Sequence, residues 1–173
     1  MKFFQTLCLA AGLWGCGDAV DDARMAYYRQ YLGNNAGALA VKDLAGEPAQ
    51  LKAELNGKPV VLNLWATWCP PCLEEMPSLN ELASQGDFNV IAISVDAKAE
   101  RVAKYMEQYP QHFENIKVLH DANGKKQRPL LGGNQYPVTY LLNKRGIVQR
   151  IYTGPRAWHE ADMVNKMKHA LKN

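Results

Sequence analysis

Trp65-Ala66-Thr67-Trp68-Cys69-Pro70-Pro71-Cys72 joins an apolar strand to an amphipathic helix and carries a Cys-x-x-Cys pair at the joint. Upstream, Pro59-Val60-Val61-Leu62-Asn63-Leu64-Trp65 is short, β-branched and aromatic, and predicts a buried strand over 59–65. Downstream, Leu73, Met76, Leu79 and Leu82 recur at the spacing of one helix face, which predicts a helix over about 70–84 ending near Gln85-Gly86. Cys69 then falls at the helix N-terminus, at its exposed start, and Cys72 one turn further in. Free backbone N–H groups and the helix dipole favour an anion there, so the first thiol is biased toward thiolate, the form that attacks disulfides. The second is placed to resolve the mixed disulfide that results. The pattern points to a redox-active dithiol.

Two plainer readings compete. A Cys-x-x-Cys pair is half of a structural zinc site, but a closed site needs four ligands. The chain has no second such pair, and His112, His120, His159 and His169 show no paired ligand spacing, so no metal site is expected. The pair could also be an inert staple, but so short a loop restricts the unfolded chain little.

The other two cysteines, Cys8 and Cys16, lie in an N-terminal leader with Lys2 followed by a mainly apolar stretch from Phe3 to Trp14. That stretch is too short for a bilayer span, which takes about 20 residues, and suits a secretory signal over residues 1–15. Leu13-Trp14-Gly15-Cys16 resembles the lipobox of bacterial lipoproteins, which implies cleavage before Cys16, acylation of that cysteine and anchoring through its lipid; Trp14 is bulky where that motif prefers a small residue. An ordinary cleaved signal and an uncleaved leader are the alternatives. In each case the expected location is extracytoplasmic and oxidising. With Cys16 acylated, Cys69 and Cys72 are the thiol pair that remains.

The formal charge is +3, or +2 once Lys2 is removed, with basic residues scattered along the chain. This indicates a solvated surface rather than a nucleic-acid footprint. The chain beyond the leader is long enough for one domain with a full core. Residues 16–37 are expected to form a tether or short helix, with helical spacing at Val20, Ala23, Tyr27, Tyr31 and Leu32, and residues 38–173 the domain. A hairpin is expected around Ala45-Gly46, a helical turn over Leu51 to Leu55, a strand from Phe88 to Val95 and a helix from Lys98 to Tyr109. A strand at Ile116 to Leu119 comes next, then a weak helix over Lys125 to Leu131, broken at Pro129. Strands from Pro137 to Asn143 and Ile147 to Thr153 form a hairpin through Lys144-Arg145-Gly146, and Pro155 is expected to start the terminal helix. The resulting class is α/β, a central mixed sheet with a parallel β-α-β-α-β portion and helices on both faces.

Val61-Leu62-Asn63-Leu64-Trp65-Ala66-Thr67-Trp68-Cys69-Pro70-Pro71-Cys72, Glu75 followed by Pro77, and Gln135-Tyr136-Pro137-Val138-Thr139-Tyr140-Leu141-Leu142 together resemble the thioredoxin-fold, membrane-anchored thiol-disulfide oxidoreductases of the TlpA/ResA type. The resemblance covers about residues 38–172. It implies a thioredoxin-like fold with an N-terminal β-hairpin and a central insertion, and a cis bond before Pro137. Asn63 follows the TlpA/ResA type, where cytosolic thioredoxins carry a buried Asp. Tyr136 departs from the small or β-branched residue usual before the cis-proline.

Cys69 is the expected nucleophile and Cys72 the resolving thiol. Glu75, one turn from Cys72 and expected near the surface of the redox site, carries a proton, or else only stabilises the helix N-terminus. Trp68, Pro70, Pro71, Tyr136 and Pro137 form the substrate surface, the backbone of Tyr136 pairing with an extended client segment. Trp65 belongs to the core, and Pro77 is expected to kink the helix. Prolines at both positions between the cysteines leave only the Cys72 amide and the dipole to stabilise a Cys69 thiolate, which predicts a reducing couple. The leading expectation is a reductase of protein disulfides with no cofactor beyond its own dithiol, recharged by a membrane thiol electron donor of the DsbD/CcdA type. Its clients, by family resemblance, include apocytochrome c, a copper-site assembly factor or stress-oxidised proteins. A disulfide oxidase or isomerase with the same site, and a copper-binding chaperone of related fold, are the alternatives.

Overall fold

Val60–Trp65 (β3) is buried at every position, because this strand has neighbours on both edges and packed side chains on both faces. A computed structural model describes residues 25–172; the expected signal sequence, Cys8 and the expected acylation site at Cys16 lie outside the described residues. The strands are β1 (Ala40–Lys42), β2 (Pro48–Gln50), β3, β4 (Asn89–Ser94), β5 (Lys117–His120), β6 (Val138–Leu142) and β7 (Val148–Thr153), in the sheet order β2-β1-β5-β4-β3-β6-β7. β3, β4 and β5 run parallel, while β6 and β7 form an antiparallel hairpin beside β3 and β1–β2 an antiparallel hairpin at the far edge. The fold is thioredoxin-like, a seven-stranded mixed sheet with helices on both faces.

Alternation along β3 sorts its side chains between the two faces. Val61 and Trp65 point to the face covered by the redox helix α1 (Pro70–Ser84), helix α2 (Ala99–Gln108) and the terminal helix α4 (Ala161–Ala170), packing with Met76, Leu79, Leu82, Val102 and Met167. Val60, Leu62 and Leu64 point to the other face, with Tyr28, Leu51, Leu131, Tyr140 and Leu142. Asn63 shares the parity of Val61 and Trp65, so β3 carries one amide into the interface beneath the redox helix. Helix α3 (Gln127–Leu131), the 3-10 turn Leu51–Glu54 and residues 25–39 cover the second face.

Residues 25–28 are helical and continue into a 3-10 turn at Arg29–Tyr31. Tyr28 is fully buried, its ring edge-on to Tyr140, and the Tyr27 hydroxyl donates to the Gly132 carbonyl at 3.0 Å. This part of the expected tether lies against the sheet.

Two local expectations are corrected. Helix α3 is not broken at Pro129, which is its third residue; in a first turn the N–H has no intrahelical partner, so proline fits. The terminal helix starts at Ala161 rather than at Pro155. The intervening residues form a loop held by the redox helix: the Trp158 N–H donates to Ser78 Oγ, and the Ser78 hydroxyl lies 3.0 Å from His159 Nδ1. The apolar residue Trp158 is therefore the buried side chain of a largely exposed loop, not part of a helix face.

Candidate active site

Cys69 is the N-cap of the redox helix, followed by prolines at the first two helical positions. Proline suits that place because its fixed φ is helical and its missing N–H has no partner to lose. Cys69 and Cys72 are joined as a disulfide. The next N–H groups, from Cys72 and Leu73, both donate to the Cys69 carbonyl, at 3.0 and 3.2 Å. The Cys72 amide is thus committed to the helix, and no side-chain cap bond forms at Cys69. The helix continues through Pro77 to Ser84.

The exposure of the pair corrects the expectation of an open helix start. Cys69 is only 5% exposed and Cys72 is fully buried. Both belong to the buried cluster that includes Trp65, Ala66 and Met76. The exposed group beside them is Trp68, at 56%. Its ring meets that of Tyr136 edge-on at 6.0 Å, and the Tyr136-Pro137 bond is cis. Trp68, which precedes Cys69 in the chain, therefore touches the residue that precedes the cis-proline.

Glu75 departs most from its expected setting. It is 2% exposed, on the inward side of the redox helix. Its Oε1 accepts from Asn63 Nδ2 at 2.8 Å, and its Oε2 from the Trp158 indole N–H at 2.7 Å and the Arg156 N–H at 3.3 Å. Asn63 Nδ2 also donates to Thr139 Oγ1 at 2.8 Å, since β3 and β6 place residues 63 and 139 directly opposite. Burial pushes the Glu75 carboxyl from 4.5 up to about 7, against the lowering effect of those hydrogen bonds. A carboxyl poised there exchanges a proton readily near neutrality.

A second buried carboxylate, Asp96, carries no local signal in the sequence. It follows β4 and is fully buried. Asp96 Oδ2 accepts from the Thr67 N–H at 2.9 Å and Ser94 Oγ at 2.8 Å, and Oδ1 accepts from Thr67 Oγ1 at 2.6 Å. The His120 Nε2–H donates to the Asp96 carbonyl at 2.8 Å. These bonds hold the loop that presents Trp68 and Cys69. The available signal was topological, since the carboxyl ends of adjacent parallel strands are where sites assemble. Among the described residues, no group of three or more His, Cys, Asp or Glu side chains stands close enough to hold a metal.

A Cys-Pro-Pro-Cys disulfide at a helix start, with a cis-proline beside it and a buried carboxyl one turn along, defines a thioredoxin-fold thiol-disulfide oxidoreductase. Residues 30–171 match the Redoxin family, and the chain belongs to it, among the oxidoreductases of the ResA/DsbE type. It is 34% identical over 128 residues to the thiol-disulfide oxidoreductase ResA of Halalkalibacterium halodurans, covering 70% of this chain and 68% of that one. The crystal structure of a thiol:disulfide interchange protein DsbE from Chlorobium tepidum superimposes with a TM-score of 0.67 at 27% identity, over 81% of this chain and 97% of that one. The exposed lipoprotein thioredoxin Etrx1 of Streptococcus pneumoniae gives a TM-score of 0.59 at 25% identity, over 75% and 97%.

Proposed function

We propose that the protein is a reductase of protein disulfides working outside the cytoplasm, anchored by lipid on Cys16. The Cys69 thiolate attacks one sulfur of a client disulfide, and the client's other sulfur leaves as a thiolate. Glu75 takes the Cys72 proton, and the Cys72 sulfur then attacks Cys69 and expels the second client thiolate. Two electrons pass to the client, and the Cys69–Cys72 disulfide is left to be reduced by a membrane dithiol donor of the DsbD/CcdA type. The resemblance to ResA and DsbE supports apocytochrome c cysteines as clients, with a copper-site assembly factor or oxidised proteins as further candidates.

The observation that carries the direction is the scarcity of donors around Cys69. Pro70 and Pro71 have no N–H, and the Cys72 N–H bonds the Cys69 carbonyl. A poorly stabilised thiolate leaves the reduced form less favoured and makes the couple more reducing. The leader and the likeness to an exposed lipoprotein support the location.

The test is the equilibrium potential of the Cys69/Cys72 couple against glutathione and a dithiol buffer. It should lie below the glutaredoxin range of roughly −200 to −230 mV. Cys72→Ser should trap mixed disulfides with clients and Cys69→Ser should trap none. A potential in the oxidant range would transfer the assignment to a disulfide oxidase or isomerase.

A further inference from the structure

A groove of about 370 Å³ opens between helix α2 and the active-site loop at Thr67 and Trp68, the residues just before Cys69. Thr67, Trp68, Arg101, Lys104, Tyr105 and Gln108 line it. Trp68 makes one wall, and it is the most exposed large apolar side chain beside the cysteines. The opposite wall is cationic. Arg101 and Lys104 are exposed, and neither takes part in an ion pair among the described residues. The Thr67 hydroxyl is committed to Asp96, so it offers no competing anchor.

The charges of α2 are sorted by face. At about 100° per residue, Arg101, Lys104, Tyr105 and Gln108 fall within one arc of the helix, while Glu100 and Glu107 fall outside it. No carboxylate lines the groove. An amphipathic helix needs its polar face only for solubility, and mixed charges serve that well. A wall of one sign, placed against the exposed indole next to the reactive sulfur, instead makes a docking strip with electrostatic preference.

We propose that this groove receives an acidic stretch of the client polypeptide flanking the disulfide under attack, with client carboxylates meeting Arg101 and Lys104 and an adjacent apolar side chain resting on Trp68. The proposal rests on the dithiol reductase reading and names its substrate class. The chain runs past Cys69 with one flank along Tyr136 and Pro137 and the other across Trp68 toward α2. The cations act on approach and register, not on the sulfur chemistry.

Three disulfide-bonded peptides of the same length test it, differing only in whether the residues flanking the cysteine are Asp/Glu, Ser/Gln or Lys/Arg. The reduced protein is mixed with each, and the second-order rate of Cys69/Cys72 oxidation is measured. The acidic peptide should react roughly tenfold faster than the basic one at about 10 mM salt, and the gap should close at high salt as screening shortens its reach. R101E/K104E should invert the order, and R101Q/K104Q should abolish it; both residues are exposed, so the fold survives. Equal rates for the three peptides, or an order unmoved by charge reversal, would overturn the proposal while leaving the reductase reading intact. Failure of the wild type to reduce even the neutral peptide would remove the reductase reading itself. If the charge-reversed protein loses binding to anionic phospholipid vesicles while the peptide order stays as in the wild type, the strip serves a membrane surface and the client assignment is wrong.

Discussion

Glu75 Oε2 accepts the indole N–H of Trp158 at 2.7 Å, between residues 83 apart in the chain. This bond closes the C-terminal loop onto the redox helix, and it is one of the few forces holding the carboxyl's titration down against burial. Trp158→Phe removes the donor and keeps most of the ring. The Glu75 midpoint, about 7 in the intact protein, should therefore rise. A carbon-13 titration of the carboxyl in the oxidised protein reads this directly, and the pH dependence of disulfide exchange should move the same way. Stability should fall by about 1–3 kcal/mol from the lost bond. An unmoved midpoint would show that Trp158 only fills space.

The raised titration of Glu75 makes a signed prediction for stability. The unfolded carboxyl titrates near 4.5 and the folded one near 7, so between those values the native state holds the extra proton. Stability then falls as pH rises through that window, and the loss from this group is complete above it. A rise from 4.5 to about 7 corresponds to roughly 3 kcal/mol. Glu75→Gln should flatten this slope in denaturant titrations of the oxidised protein at pH 5 and pH 8. The amide can keep a bond from Trp158 through its oxygen, and its NH₂, standing where Oε1 accepted from Asn63 Nδ2, is accommodated once the Asn63 amide flips to present Oδ1, which is otherwise without a partner. Parallel pH slopes for the two proteins would mean that Glu75 does not titrate in that window.

Asp96 holds its loop with two oxygens and three donors, from Thr67 N–H, Thr67 Oγ1 and Ser94 Oγ. Asp96→Asn replaces one acceptor with a donor facing donors. The expected cost is about 1–3 kcal/mol, the penalty of a buried polar group left unpaired. Hydrogen exchange at the Thr67 amide should quicken, and reaction with protein disulfides should slow because Trp68 and Cys69 lose their fixed placement. Unchanged exchange at Thr67 would show that the backbone alone sets the loop.

The two halves of the site differ in how far the chain discloses them. Val60–Trp65 and the helix from Pro70 were legible because a strand buried on both faces is continuously apolar, and because proline at a helix start is a local signal. The burial of Glu75 was not legible. A carboxylate on an amphipathic helix reads as solvent-facing, and its partners Asn63 and Trp158 come from a strand and a loop far away in the chain. Trp158 falls inside the terminal helix expected to start at Pro155, and only its tertiary contacts place it in a loop. Asp96 looked like an ordinary strand end. Its role appears when β3 and β4 pair side by side and bring residue 96 under Thr67.

Pro71→His tests the account of the reducing poise most sharply. The wild-type helix start gives Cys69 no N–H from residues 70 and 71, and the Cys72 N–H is taken by the Cys69 carbonyl. Histidine restores one backbone donor at position 71 and adds a ring that becomes cationic at mildly acidic pH. Both favour the thiolate, so the Cys69 titration should fall and the potential should rise. A change of about 30 mV corresponds to roughly 1.4 kcal/mol in a two-electron couple, and a charge-assisted hydrogen bond contributes at least that much. The expected rise is therefore about 30 mV or more, read by equilibration with a dithiol buffer. Alkylation of Cys69 across a pH series should locate the lowered titration in the same variant. A potential that stays put while the Cys69 titration falls would mean that Cys72, not the attacking sulfur, sets the couple; a downward shift would overturn the argument from missing donors.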